Sequence, residues 1–451
     1  MTLPCAHEIL QFDPSPWAHE AGFDRPSPDQ RMAATTRSGQ NPFGTKGLTA
    51  KALEKSTREN TQKLTPSFPG PLVLPFDDLN WDPDYPGQSF RSWLFEKARN
   101  KPTDRRHTLY VAAVPEVTDS VAHMREWVQP TVDAEQLVGE ISSPPVEDFV
   151  SYLSAFYHGL VVKALPQQLR FVPWKSGKTT PKPRKDPTYV GFAADSRCTR
   201  IRTRPSPDGV FKGQLNLNDL LDAAISWLPA DAYAIVLLMD HDLYEDEDDD
   251  FCCGRAYGGS RVSTVSSARY HPALDTLEKI DHSHMWPASH CKDFVDGLCA
   301  TQGLKPAKSR KAKQVARSPM QAAVQAAADI GIPLTLEDRR GLWFSRLART
   351  VAHELGHCLG MDHCVYYACN LQGTAGMAED VRQPPYLCPV CLSKVQHAVA
   401  YELQGRGDDG KSEYVRERYA AIVALCDSWK HVALFAGYGA WIRGRLEDLG
   451  G

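Results

Sequence analysis

The sequence predicts an α+β fold (mixed α/β), and three observations support this prediction. Residues 108–114 (TLYVAAV) form an apolar run with the length and composition of a buried strand. Residues 215–244 place a stretch with helical apolar spacing directly before a second apolar run, an alternation that is typical of α/β layers. Residues 335–360 have the spacing of one long amphipathic helix. The chain should therefore combine a mixed sheet with helices that cover it.

The first 70 residues differ in composition from the rest of the chain. Residues 1–70 are rich in Pro, Ser, Thr, Gln and charged side chains and show little apolar periodicity. Such a segment buries too little apolar surface to offset the entropy of ordering, so we expect it to be disordered. Order is expected to begin near residues 71–79 (PLVLPFDDL).

The middle of the chain contains four further predicted elements. A helix is expected over 145–160, and a second helix over 215–228 has Asn218 as its candidate N-cap. Residues 231–244 predict a strand with an apolar interior. In 258–270 (GGSRVSTVSSARY) valines alternate with small polar residues, which predicts a strand with an accessible edge.

Composition limits the possible partners and compartments. The chain has 451 residues, 42% of them hydrophobic, a formal net charge of −4 and a pI of about 6.4, so no overall charge attracts it to nucleic acid or anionic membranes. Its longest apolar runs fall short of the roughly 18 residues that a membrane helix needs. The N-terminus lacks the pattern of a signal peptide. We expect a monomer in the cytoplasm or nucleus. In these reducing compartments, clustered cysteines are better candidates for metal ligands than for disulfides.

A loop-rich insertion is predicted over residues 271–335. Its basic stretch 305–317 leaves open a role in nuclear import or nucleic-acid binding, although the acidity of the whole chain argues against the latter. Residues 282–291 (HSHMWPASHC), together with Cys299, also gather residues of metal-ligand type. A polar loop is the preferred interpretation there, and an additional metal site is the alternative.

The predicted helix 335–360 carries the strongest chemical signal. Thr335 and Asp338 have the spacing of a capping box at its start. His353 and His357 are four residues apart, so both rings lie on one face and can bind one Zn²⁺. Glu354 lies about 100° further round the helix, from where it can reach a water molecule on the metal. The alternative is two ordinary polar residues on a helix surface.

The residues after this helix favour the metal site. Gly360 can adopt positive φ and end the helix, and the chain can then return His363 to the metal, which completes HExxHxxGxxH. Three histidines leave a fourth position for water, as in catalytic zinc sites. With Glu354 as general base, the predicted reaction is hydrolysis of an amide, most naturally a peptide bond.

Four cysteines follow directly. Cys364 and Cys369 form one short-spaced pair, and Cys388 and Cys391 form a second pair after eighteen intervening residues. Such pairs are typical of a closed, structural zinc site with four thiolates. This site would fix the loop that carries His363. The alternative is four separate buried thiols.

The combination "HELGHCLGMDHC…C…LCPVC" over 353–391 resembles the archaemetzincins, zinc metallopeptidases of the metzincin clan, and a weaker resemblance covers 215–270. The resemblance implies two zinc ions per chain: a catalytic ion on His353, His357 and His363 with Glu354 as base, and a structural ion on Cys364, Cys369, Cys388 and Cys391. It also implies a mixed twisted sheet with helices above a cleft and a smaller C-terminal subdomain. One departure is Leu371, which occupies the position where the family has the Met of a Met-turn.

This resemblance organises the chain and its expected function. It predicts a catalytic subdomain over 71–363, with its active-site helix at 336–360, and a C-terminal subdomain over 364–451. The substrates would be peptides or small proteins, with aminopeptidase action on short peptides suggested by some members. By the same resemblance, the strand in 258–270 would pair with an extended substrate, and an ordinary sheet edge is the alternative. A non-catalytic zinc scaffold is the second hypothesis for the whole chain, and a small further alternative makes Cys5 an inhibitory thiolate on the catalytic zinc.

Overall fold

The computed structural model describes residues 5, 7–42, 67–132, 141–174, 189–285, 290–305, 318–407 and 410–450. These residues form an α+β fold, as predicted. The strands are β1 Thr108–Ala112, β2 Glu116–Val117, β3 Val161–Ala164, β4 Leu169–Val172, β5 Tyr189–Ala194, β6 Arg197–Arg204, β7 Gln214–Asn216, β8 Ala232–Met239, β9 Asp242–Tyr244, β10 Gly254–Tyr257 and β11 Val262–Ser266. The longer α-helices are Val146–Phe156, Leu217–Trp227, Lys292–Ala300, Pro319–Ile330, Leu336–Cys358, Pro389–Gln396, Lys411–Ser428 and Ala433–Asp448.

The strands form two sheets. The first has the order β10-β11-β8-β1-β3 and is parallel except for the antiparallel strand β10. The second has the order β2-β4-β5-β6-β7-β9 and is mostly antiparallel. The predicted strand 231–244 is divided between the two, because the chain turns at Asp240 and His241 before it enters β9.

Strand β8 shows how the first sheet is buried on both faces. All eight of its residues are buried, as expected for a central strand of a parallel sheet. Its side chains alternate between two apolar clusters: Val236 and Leu238 face the cluster around the helix Leu336–Cys358, while Ile235 and Leu237 face the cluster around the second sheet. The sheet therefore lies between the helix with the histidine motif and a second layer.

The predicted edge strand is not at the edge. Strand β11 contains the RVSTVSS stretch, and β10 pairs with it in antiparallel orientation. The paired residues run from Gly254 opposite Val265 to Tyr257 opposite Val262. The alternation of polar and apolar residues in β11 suggested an exposed edge, yet Ser263 and Thr264 are fully buried. Strand β10 forms the edge in the part of the chain that the structure describes.

Two helix starts test the capping predictions. The capping box of Thr335 and Asp338 is present, and the helix begins at Leu336. The helix Leu217–Trp227 is capped by Asn216, whose side chain accepts a hydrogen bond from the backbone N–H of Asp219, and not by Asn218. The side chain of Asn218 instead donates to the Glu245 carbonyl oxygen.

The N-terminal segment differs from the expected disorder over residues 7–42. It contains the helices Pro16–Glu20 and Pro28–Ala34, and Ser27 forms a full capping box with Gln30. Buried Phe23 joins an apolar cluster with Val365, which belongs to the loop after the histidine motif. A few well-placed apolar residues therefore anchor a segment whose average composition is polar. Residues 43–66 lie outside the described residues.

The insertion 271–335 is also more helical than predicted. It contains the helices Lys292–Ala300 and Pro319–Ile330, and the second of these packs on the last helix of the chain through Pro319 and Gly444. The basic stretch lies almost entirely outside the described residues. Among the described helices, none has the length and apolar character needed to cross a membrane.

Candidate metal centres

The two helix-borne histidines face each other at the end of the helix Leu336–Cys358. The Nδ1 atom of His353 lies 2.7 Å from the carbonyl oxygen of Asn370, and that of His357 lies 2.7 Å from the carbonyl oxygen of Met361. Because a carbonyl oxygen only accepts hydrogen bonds, both Nδ1 atoms must carry the proton. In the neutral ring each Nε2 atom then carries a free lone pair and no proton. The two Nε2 atoms are 3.0 Å apart.

His363 completes the cluster as the third imidazole. Gly360 has a φ of 75°, the left-handed conformation that glycine permits, and it turns the chain away from the helix axis. The His363 ring centroid consequently lies 5.3 Å from that of His353 and 5.1 Å from that of His357. One nitrogen from each ring falls within 4.8 Å of the others. The chain thus brings all three predicted histidines together.

This arrangement fits a bound cation. Two neutral imidazoles with lone pairs 3.0 Å apart repel each other unless a proton or a metal ion lies between them. Burial opposes the protonated form, because it lowers the pKa of His353 well below its usual value and lowers that of His357 to about 4. Imidazole nitrogens held by backbone carbonyls are the usual arrangement of zinc ligands. The donor set therefore suits Zn²⁺ better than a shared proton.

Glu354 borders the same cleft. Its side chain lines a cavity of about 200 Å³ together with His353, and it also lines a cavity of about 730 Å³ together with His357 and His363. Burial raises the pKa of Glu354 to about 8, while the Arg255 guanidinium opposes this shift and Asp380 adds to it. A carboxylate therefore stands beside the three imidazoles without any ion pair of its own in the described residues.

A polar clamp holds the turn between the helix and His363. The Gln88 side chain donates to the Gly360 carbonyl oxygen at 3.0 Å and accepts from the Asp362 backbone N–H at 3.1 Å. Lys394 in turn donates to the Gln88 side chain at 2.6 Å. Trp93 donates from its indole nitrogen to the Leu359 carbonyl oxygen at 2.9 Å, which satisfies one of the free carbonyls at the end of the helix.

Leu371 packs beneath the helix that carries the histidines. It is fully buried, and a Cβ atom added to Gly356 would lie 2.8 Å from its Cδ1 atom, so helix and loop are in close contact there. Its carbonyl oxygen accepts a hydrogen bond from the Cys364 backbone N–H at 2.7 Å. Met377, six residues further along the chain, contacts Cys253 and lines the smaller cavity.

The four predicted cysteines form a second, closed cluster. Their sulfur atoms all lie within 4.8 Å of one another, and all four residues are buried. The sulfur atoms of Cys364 and Cys388 are 3.5 Å apart, and the Cys388 backbone N–H donates to the Cys369 sulfur. Four convergent, buried sulfurs are the donor set of a structural zinc site. Because Cys364 directly follows His363, this cluster also fixes the third imidazole.

Several residues of the site escaped the sequence-based prediction. The Tyr85 ring lies beside that of His363, with centroids 5.5 Å apart. Gln88 and Trp93 hold the turn after the helix, and the positive charge of Arg255 on β10 opposes the rise in the pKa of Glu354. Three of these four residues precede the motif by more than 250 positions, so spacing within the motif contains no signal for them.

Comparison with known proteins agrees with this geometry. Residues 322–397 match the model of Peptidase family M54. Archaemetzincin-2 of Macaca fascicularis is 24% identical over 360 residues, which cover 79% of this chain and 74% of that protein. Archaemetzincin-1 of Homo sapiens is 28% identical over 289 residues, which cover 63% of this chain and 44% of that protein. The crystal structure of archaemetzincin from Methanopyrus kandleri aligns with 66% of this chain and 98% of its own, at 16% identity and a TM-score of 0.32.

The matched region contains the HExxH helix, both converging clusters and the loop between them. These matches support the class of zinc metallopeptidases. Within that class, the chain is similar to the archaemetzincins, at 24% and 28% identity to the two relatives.

Proposed function

We propose that this zinc metallopeptidase hydrolyses peptide bonds with Glu354 as its general base. The observation that supports the proposal is the meeting of three imidazoles with one buried carboxylate at a single cleft. A non-catalytic zinc scaffold has no need of that carboxylate, whose burial without a cation beside it is unfavourable.

In this proposal His353, His357 and His363 hold a catalytic Zn²⁺. The backbone carbonyls of Asn370 and Met361 fix the tautomers of the first two rings and so aim both Nε2 atoms at one point. A zinc ion bound there supplies a Lewis acid that acidifies water and polarises a substrate carbonyl.

Glu354 moves the proton. It accepts a proton from the attacking water and then donates it to the nitrogen of the leaving amine. Its position at the border of both cavities lets it face the two sides of the scissile bond in turn. Burial raises the pKa of Glu354 to about 8, so the side chain can hold the proton until it is delivered to the amine.

We assign a second, structural zinc to Cys364, Cys369, Cys388 and Cys391. All four residues are buried, and four thiolates already complete the tetrahedral coordination of zinc. Its role is to hold the loop of His363 in place.

The substrate backbone would pair with strand β10. The Cys253 carbonyl oxygen accepts from the Ser266 N–H at 2.8 Å, and hydrogen-bonded pairs alternate along an antiparallel ladder. The backbone groups of Arg255 and Tyr257 therefore point towards β11, while those of Gly254 and Ala256 point outwards. Both outward residues line the larger cavity, so an extended peptide can add to this edge as a further strand.

The decisive experiment replaces Glu354 by glutamine, which keeps the shape of the side chain and removes the base. We expect Glu354→Gln to lower kcat by about 10²- to 10⁴-fold, with the zinc content of the wild type. Glu417→Gln is the matched control, because Glu417 lies on the helix Lys411–Ser428 and pairs with Arg406, away from the cleft. Equal cleavage of a peptide library by wild type and Glu354→Gln would favour the scaffold hypothesis.

Cleavage of short peptides from their N-terminus is the finer proposal, which rests on the family resemblance. The test uses one set of peptides with free and with acetylated N-termini. An aminopeptidase cleaves only the free set, and it releases single residues in sequence order, as mass spectrometry of the products would show. Internal cleavage of both sets would identify an endopeptidase.

A further inference from the structure

A third cluster of metal-binding side chains lies away from the cleft. One ligand atom from each of Cys5, His7 and His284 lies within 4.8 Å of the other two. The first two residues come from the N-terminal segment and the third from the insertion, so the fold brings together ligands that the sequence separates. Cys5 is therefore not placed with the three histidines of the cleft, which is the position that an inhibitory thiolate would need.

Both histidines of this cluster carry a buried nitrogen without a hydrogen-bond partner among the described residues. The Nε2 atoms of His7 and His284 are buried and have no hydrogen-bond partner within the described part of the chain. The Nδ1 atom of His284 lies 2.8 Å from an Asp281 carboxylate oxygen, which only accepts hydrogen bonds. The proton therefore belongs on Nδ1, and the buried Nε2 atom is a bare lone pair. A buried lone pair without a partner is destabilising unless a cation binds it.

The backbone holds the cluster in place. An antiparallel bridge joins Leu10 to Cys291, and the Lys292 backbone N–H donates to the Ile9 carbonyl oxygen at 2.9 Å. The Phe294 ring stacks on the His284 imidazole, with centroids 4.2 Å apart and planes 16° from parallel. His7 has a φ of 52°, a left-handed conformation that is unfavourable for a non-glycine residue. Such strain at a residue whose side chain faces the cluster is typical of a functional position.

We propose that Cys5, His7 and His284 bind a third zinc ion. One thiolate and two imidazoles are ligands that zinc prefers, and the carboxylate of Asp281 orients one of the rings in the manner of a metal-bound histidine. The thiol of Cys291 contacts that of Cys5. This inference goes beyond the proposed function, because the site lies outside the catalytic cleft.

The third zinc would cross-link two parts of the chain that are distant in sequence. It ties the N-terminal segment to the turn His282–His284, which packs on the helix Lys292–Ala300 through Phe294, next to a cavity of about 680 Å³ that His284 and Phe294 line. Residues 375–377 line this cavity and also the smaller cavity beside His353. This zinc site would therefore stabilise one wall of the cleft without taking part in the chemistry.

The test is the zinc content of the full-length protein, measured by inductively coupled plasma mass spectrometry after removal of loosely bound metal. We expect Cys5→Ala and His284→Ala each to contain one zinc ion fewer per chain than the wild type, with peptidase activity retained. Cys299→Ala is the matched control: Cys299 is buried on the neighbouring helix Lys292–Ala300 but belongs to no ligand cluster among the described residues, so the zinc content of this variant should equal that of the wild type. Equal zinc contents in wild type and both cluster variants would overturn the proposal.

A second measurement needs no variant. Cysteine alkylation of the native wild type, read by peptide mass spectrometry, should leave Cys5 unmodified until a zinc chelator is added. Alkylation of Cys5 at the same rate with and without chelator would contradict the proposal, as would a Cys5–Cys291 disulfide in protein purified under reducing conditions. Neither measurement depends on Glu354, so failure here leaves the peptidase mechanism untouched.

Discussion

Leu371 shows how one residue can replace a methionine beneath a metal centre. The side chain lies on the loop that leads from Cys369 towards the cleft, and it packs against Gly356 of the helix between His353 and His357. An apolar side chain of this volume is what the position needs, because its contacts are with carbon atoms and its polar contact is made by the backbone. Shape and volume therefore matter more here than the sulfur atom.

We predict that Leu371→Met keeps the metal centre and Leu371→Ala does not. The exchange of Leu for Met conserves volume and should cost less than about 1.5 kcal/mol of unfolding free energy. Truncation to Ala leaves a cavity under the helix and should cost about 2–5 kcal/mol. Urea denaturation measures both values, and zinc analysis shows whether the histidine site stays loaded. Equal stabilities of the two variants would mean that the loop collapses to fill the space.

At the same scale, the sequence predicted the metal-ligand candidates better than the residues that hold them in place. The spacing of the histidines and cysteines fixes which side chains can meet, because a helix places positions four apart on one face. The backbone carbonyl groups of Asn370 and Met361 orient two of the rings. Because every residue has such a group, only the path of the loop decides which carbonyls reach the histidines. Tyr85 and Gln88 reach the site from a distant part of the chain, which a single sequence does not reveal.

At the scale of elements, strand β10 connects the sheet to the cleft. It lies between the ladder with β11 and the helix with the histidines, and a Cβ atom on the adjacent Gly258 would lie only 2.4 Å from the His357 carbonyl oxygen. This close approach requires glycine at position 258. Because strand and helix are held at this distance, the proposed substrate strand would lie along the cavity that His357 and His363 also line.

We predict that Ala256→Pro weakens substrate binding and leaves the fold intact. Proline removes the outward backbone N–H of Ala256, which the ladder with β11 does not use. The loss of one substrate hydrogen bond, at about 0.5–1.5 kcal/mol, should lower kcat/KM by about 2- to 10-fold. Steady-state kinetics with a peptide substrate and thermal unfolding would measure the two effects.

Tyr257→Pro provides the contrast, because the N–H of Tyr257 points into the ladder. This variant should lose stability as well as activity. If Ala256→Pro has wild-type kinetics, the substrate does not pair with this edge.

The elements also show where periodicity was informative and where it was not. The helix Leu336–Cys358 was predicted nearly to its ends because it is long, amphipathic and capped by Thr335. The edge position was assigned to β11 because small polar residues there suggested solvent, whereas Ser263 and Ser266 satisfy their hydroxyl groups on backbone carbonyls of β8 and of His241. The N-terminal helices were missed because composition averages over residues, and a few side chains such as Phe23 supply their anchor.

At the scale of the whole molecule, the two metal clusters are embedded differently. The four cysteines belong to the large apolar cluster that includes the aromatic residues Tyr386 and Trp441 and reaches the last helix, Ala433–Asp448. The histidines border open cavities and are half-buried. Loss of the cysteine-bound metal should therefore affect the entire fold, whereas loss of the histidine-bound metal should affect mainly the cleft.

We predict that Cys391→Ala unfolds the protein at a much lower temperature than His363→Ala does. Binding of a structural zinc contributes on the order of 10 kcal/mol to the folded state of small zinc domains, which is comparable with the total stability of a typical protein. His363→Ala loses the catalytic metal and the activity while four thiolates still hold the loop.

Cys426→Ala is the matched control, because Cys426 is buried in the same apolar cluster but lies outside the quartet, so its truncation should cost only about 1 kcal/mol. Differential scanning calorimetry with parallel zinc analysis gives the order of the three melting temperatures. Similar melting temperatures for Cys391→Ala and Cys426→Ala would show that the quartet holds no structural metal, and the fold would then depend on its apolar core alone.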